Sequence, residues 1–289
     1  MYNGLLVFAA LLPAIILCIY VFKKDRVEKE PIGLLIRLLL FGVACCIPAA
    51  LMEVTFSGVL DALFTDYIFI DSRGIEFISD DVFYLYHFLE YFVGVALIEE
   101  GCKWFVLLYA TKRNKEFNSL FDGLIYAVFI SIGFAAFENI FYVLENGWIN
   151  AIMRGILSVP GHMFFAVLMG YHYSFWHIAD KAGTIERQLK AEGIVQSRTE
   201  ISGKRQMILS LLMPVLAHGL YDFCCTLDSG IGVLAFYAFI IVLYVYCFGK
   251  IKKMSASDAP QERFVLGMLL KKYPFLSTGS LEIADIEKM

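Results

Sequence analysis

Residues 97–105 read LIEEGCKWF. Two adjacent carboxylates, Glu99 and Glu100, and one ammonium, Lys103, stand in a largely apolar run that extends over residues 83–110. A run of that length crosses the roughly 30 Å hydrocarbon layer as a helix. The chain around it has the same character: 59% of its 289 residues are hydrophobic, against about 45–50% in a soluble domain. The apolar residues fall into seven blocks, 3–22, 32–56, 83–110, 120–144, 151–178, 207–226 and 231–248. No strand-like alternation points to a barrel. The expected fold is therefore an all-α polytopic membrane helix bundle of about seven transmembrane helices.

The connections predict its orientation. The stretch 23–30 carries four Lys/Arg, 112–117 three, 180–206 six and 250–253 three. Between them lie 57–82, with a single Arg, and the ENG and DSG turns at 145–147 and 228–230, with none. Basic and non-basic loops alternate, so the positive-inside rule predicts the N-terminus outside and the C-terminus in the cytoplasm. Residues 1–253 then form one transmembrane domain. It has an acidic outside loop at 57–82 (Asp61, Asp66, Asp71, Glu76, Asp80, Asp81) and a cytoplasmic helical insertion at 180–206. Residues 254–289 form a cytoplasmic tail, either a surface amphipathic segment around FVLGMLL (264–270) or largely disordered. The first 22 residues lack a basic n-region and are read as a retained span. A net charge of −4 gives no reason to expect nucleic acid. The seven cysteines are read as small packing residues, because they show no paired loop spacing.

A charge at bilayer depth costs about 2.5–3.5 kcal/mol even on lenient insertion scales, so such residues mark function. Besides Glu99, Glu100 and Lys103, the candidates are Glu138 in GFAAFENIF (133–141), His162 in VPGHMFFAV (159–167), and His218 with Asp222 in LAHGLYDF (216–223). Arg37, Asp122 and Arg154 lie near span ends and read as interfacial anchors. Lys103 is four residues from Glu99 and three from Glu100, so it reaches both on one helix face. His218 and Asp222 share a face in the same way. Gly123, Ala127, Ser131 and Ala135 recur every four residues, a small-residue stripe that admits a close neighbouring helix. Together these place a polar cavity among the third to sixth spans.

In order, the motifs are E-E-x-x-K (Glu99 to Lys103), F-x-x-x-E (Phe134 to Glu138), a span bearing His162, and H-x-x-x-D (His218 to Asp222). This set resembles the PrsW family of intramembrane proteases. The likeness extends to DRVEKEPIGLL (25–35) and DGLIYAVFISIGFAAFEN (122–139), and covers most of 20–225. The related CAAX prenyl proteases carry E-E-x-x-x-R, F-x-x-x-H and H-x-x-x-N; this chain departs from them at Lys103, Glu138 and Asp222. The resemblance implies a bacterial plasma-membrane endopeptidase that makes the first cut in a single-span membrane substrate such as an anti-sigma factor. The expected catalytic set is Glu99, Glu100, Glu138, His162, His218 and Asp222, supported by Lys103 and Phe134. One carboxylate of the doublet would activate water, and no cofactor is required.

Three other readings stay open. His162, His218 and Asp222, with Glu138, could ligate zinc with an open water position. A proton-coupled transporter would use the same intramembrane acids and histidines, although no internal repeat supports it. A non-catalytic receptor for single-span partners would bind without producing fragments. Neither H-E-x-x-H nor G-x-S-x-G occurs in the sequence.

Overall fold

A computed structural model describes residues 2–70, 74, 76–227 and 230–278 of the chain. Asp71, most of the DSG turn and the tail beyond 278 lie outside the described residues. Among the described residues, nine α-helices follow one another: α1 (Tyr2–Lys24), α2 (Ile32–Leu63), α3 (Phe83–Phe88), α4 (Ile98–Thr111), α5 (Asp122–Ile156), α6 (Ser158–Ala191), α7 (Lys204–Cys225), α8 (Gly230–Ala256) and α9 (Gln261–Lys272). A π-helical segment, Leu89–Leu97, joins α3 to α4 without a break.

Among the described residues, five helical runs are long and apolar enough to cross a membrane, one of them the 70-residue run that contains both α5 and α6. Their outward faces carry large apolar side chains such as Phe8, Ile36, Leu40, Ile241 and Val245. That surface suits hydrocarbon rather than water. The α3–α4 run, which contains Glu90, Glu99, Glu100 and Lys103, is not among the five.

Helix α5 is the axis of the bundle. Every residue from Asp122 to Ala136 is buried, because α1, α2 and α6 all pack on it. It runs antiparallel to α6: Ser131 Oγ donates to the His162 carbonyl at 2.9 Å, while Gly170 lies against Gly123 and Leu124. The small-residue stripe is thus the α6-facing side of α5. A Cβ at Gly170 would come within 2.5 Å of the Leu124 Cα.

The junction with α2 is tighter still. A Cβ on Gly42 would fall 1.9 Å from the Ile130 carbonyl oxygen, and one on Gly133 would fall 2.1 Å from that of Leu39. Gly42→Ala is therefore expected to destabilise the protein by about 1–3 kcal/mol, as overpacking against backbone does. Gly33→Ala, on the same helix with nothing within 4 Å of its Cβ position, should be neutral. Thermal midpoints of the two purified variants in detergent check this.

Three details add to the sequence reading. The 57–82 segment contains a small hairpin, Ile68–Ile70 paired antiparallel with Glu76–Ile78, with Phe69 stacked on Phe77 across the strands at 5.7 Å. The chain reverses within the expected ENG turn, at Gly147 (φ 73°, ψ −159°), and residues 148–156 form a short returning helical segment ahead of Ser158. That positive φ is readily adopted only by glycine. The tail forms α9, which packs on α6; Lys272 Nζ donates to Glu186 Oε1 at 2.7 Å.

Candidate active site

The ionisable residues of four helical segments meet in one cluster. Lys103 Nζ donates to Glu99 Oε2 at 2.8 Å and to Glu100 Oε1 at 2.7 Å. It also lies 3.1 Å from His162 Nδ1, and 4.1 Å above the Phe134 ring centroid. An ammonium only donates, so His162 Nδ1 accepts. The proton of that ring is then on Nε2, which faces Glu138 Oε2 at 3.0 Å. His162 is by this assignment a neutral imidazole with a fixed tautomer.

His218 is placed differently. Its Nδ1 meets Glu100 Oε1 at 3.1 Å and its Nε2 meets Asp222 Oδ2 at 3.3 Å. A ring with a carboxylate at each nitrogen is served by two N–H donors, the imidazolium form. Phe165 stacks on it, with ring centroids 4.7 Å apart. The two imidazoles stand edge to face at 5.3 Å.

All six candidate catalytic residues, and the two supporting ones, are thus brought together. The structure also separates the two glutamates. Glu99 lines a cavity of about 380 Å³, along with Glu138, His162, His218 and Asp222. Glu100 is fully buried behind Lys103 and His218 and is not part of that lining. One of its oxygens, Oε2, has no hydrogen-bond partner. The cavity is bounded by Leu157 and Ser158 of the α5–α6 connection and by Cys225 at the end of α7. It therefore lies toward the end of the bundle opposite the basic loops.

Sequence reasoning assigned Arg154 to an interface. Instead, its guanidinium lines the cavity. It is 3.1 Å from Glu138 Oε2, donates from Nε to Asn139 Oδ1 at 3.0 Å, and lies over the Tyr142 ring at 3.9 Å. The reversal at Gly147 returns residue 154 to the level of residues 138 and 139. Only the glycine of ENG signals this in the sequence. Glu53 of α2 also lines the cavity; its position in an apolar run was the available signal.

The donors that could hold a cation are Glu99, Glu100, His162 and His218, with one atom of each within 4.8 Å of the others. They are not the set His162, His218 and Asp222. Asp222 lies behind His218 on its Nε2 side, as Glu138 lies behind His162. Carboxylates placed behind imidazoles in this way are what metal-binding histidines use. Yet the Lys103 ammonium already bonds or abuts three of the four donors. A metal ion does not fit among them while that ammonium is in place.

Residues 30–248 match the family described as PrsW family intramembrane metalloprotease. The chain belongs to the PrsW family. Among the proteins it is similar to, Protease PrsW of Oceanobacillus iheyensis is 29% identical over 245 residues, covering 85% of this chain and 94% of that one. Protease PrsW of Geobacillus kaustophilus is 29% identical over 258 residues (89% and 95%), and that of Bacillus subtilis 26% over 260 (89% and 98%). No solved structure matches. This PrsW-family chain is accordingly a peptidase, a multi-pass protein of the bacterial plasma membrane.

Proposed function

We propose that this peptidase works by carboxylate-activated water, with Glu99 as the general base. The observation that carries this reading is the split within the doublet: Glu99 faces the cavity while Glu100 is sealed behind Lys103. Lys103 Nζ, 2.8 Å from Glu99 Oε2, supplies the positive charge at the centre of the site. Glu99 takes a proton from water as the water oxygen bonds to the scissile carbonyl carbon. The same proton passes to the leaving nitrogen as the C–N bond breaks. The developing oxyanion needs donors, the arrangement that contributes most in acyl transfer. Arg154 suits this role: its guanidinium lines the cavity, 3.1 Å from Glu138 Oε2. Glu100 and Asp222 balance and orient His218, and Glu138 orients His162. No step is routed through a metal.

The proposed topology is seven crossings, with the N-terminus outside and the C-terminus cytoplasmic. Two facts support it beyond the alternation of basic loops: the 70-residue run comprises two helices, and residues 83–111 form one uninterrupted helical run. The site then lies near the extracytoplasmic end. It is suited to a first cut beside the span of a single-span membrane protein such as an anti-sigma factor.

The test is co-reconstitution of purified protein with single-span anti-sigma factors in proteoliposomes, with fragments identified by mass. Product from wild type, equal with and without a zinc chelator, is expected. Loss of product on chelation would overturn the metal-independent mechanism. Intact substrates throughout would overturn the substrate class.

A further inference from the structure

Helices α2 and α5 touch through Gly42 and Gly133, and again where Cys46 Sγ approaches the Phe134 carbonyl at 3.5 Å. Past this crossing the space between them opens into a groove of about 480 Å³. Its rim is apolar: Ile47, Leu51 and Val54 from α2 are 62%, 66% and 74% exposed, and Phe141 from α5 is 53% exposed. Its inner wall is polar. Glu53, Glu99, Glu138 and Tyr142 line this groove and also line the cavity of the candidate active site. The groove is therefore continuous with the site along one side and open to the hydrocarbon along the other.

Resting on the protease reading above, we infer that this groove receives the transmembrane helix of the substrate, which enters sideways from the bilayer between α2 and α5. The chemistry of the two walls matches such an occupant. The apolar rim takes the side chains of the span. A peptide bond can be cleaved only after the helix end unwinds, and unwinding frees N–H groups that hydrocarbon cannot satisfy. Glu53, Glu138 and Tyr142 place acceptors where those N–H groups emerge, next to Glu99. A second apolar groove exists between α2 and α4, larger at about 760 Å³ and bordered by Phe105 and Tyr109. It shares no lining residue with the site cavity, so it offers a span no route to Glu99.

The two grooves are distinguished by photo-crosslinking in proteoliposomes. Benzoylphenylalanine replaces Leu51 or Phe141 in one groove, and Phe105 or Tyr109 in the other, on a Glu99→Gln background. The probe is a biotinylated peptide with a Leu/Ala span of about 20 residues and a polar extension. Labelling at positions 51 and 141 is expected to exceed that at 105 and 109 by about tenfold or more, a difference of about 1.4 kcal/mol in occupancy. A span-only peptide should label positions 51 and 141 less than the extended one. Equal labelling at all four positions, equal labelling by the two peptides, or labelling confined to 105 and 109 would overturn the inference. Cleavage of single-span substrates with labelling at the wrong groove would sink the groove and leave the protease. Labelling at 51 and 141 without cleavage would do the reverse.

Discussion

Glu99→Gln is expected to lower kcat by about 10²–10⁴-fold, the range a positioned general base contributes, with little change in thermal stability. The amide is isosteric, and its oxygen still accepts from Lys103, as Glu99 Oε2 does at 2.8 Å. What it loses is the capacity to take a proton from water. Glu100→Gln is expected to behave differently. Glu100 Oε1 is shared by Lys103 Nζ at 2.7 Å and His218 Nδ1 at 3.1 Å. Neutralising it leaves two buried cations competing for one weakened acceptor, so both stability and activity should fall. Paired measurement of kcat and thermal midpoint on the two variants separates the roles. If Glu99→Gln cleaves at the wild-type rate, Glu99 is not the base. If Glu100→Gln loses activity at an unchanged midpoint, the working carboxylate is Glu100.

Lys103→Met should have the largest effect on stability. Lys103 and Glu100 are 1% and 0% exposed, and Glu99 is 5% exposed. Removing the ammonium leaves two like charges side by side in a nearly dry site, with Glu100 Oε2 already unpartnered. Breaking a buried pair from one side costs about 3–5 kcal/mol. The expected result is a strongly lowered thermal midpoint in detergent. Zinc bears on the same variant. With the ammonium gone, Glu99, Glu100, His162 and His218 converge on an open position, and added Zn²⁺ should raise the midpoint of Lys103→Met while leaving wild type unchanged. A zinc-dependent rise in wild type would mean that Lys103 yields its place to a metal, and the carboxylate mechanism would need revision.

Much of this protein could be read without a structure. The apolar blocks specify a membrane bundle because nothing else stabilises so much hydrocarbon-facing surface. The charges within those blocks mark the candidate site residues because lipid tolerates them only when they face each other or water. Helical spacing pairs Lys103 with both glutamates and His218 with Asp222, and those contacts are local enough to follow from 3.6 residues per turn.

What only the tertiary structure decided depends on phase and on chain reversal. The π-helical segment at Leu89–Leu97 immediately precedes the doublet. Its wider turn shifts the rotation of everything after it, so an ordinary helical period carried across 83–110 cannot say whether Glu99 or Glu100 meets the cavity. Arg154 reaches Glu138 because Gly147 takes a positive φ and turns the chain back; the ENG turn implies that return, but not the level at which residue 154 meets the preceding helix. The tautomer of His162 depends on Lys103, 59 residues away. The groove beside Glu99 exists because α2 and α5 touch through two glycines and then part. Composition and period act along one helix, whereas a site is made by how helices rotate and cross, and those angles are set by packing between residues far apart in the chain.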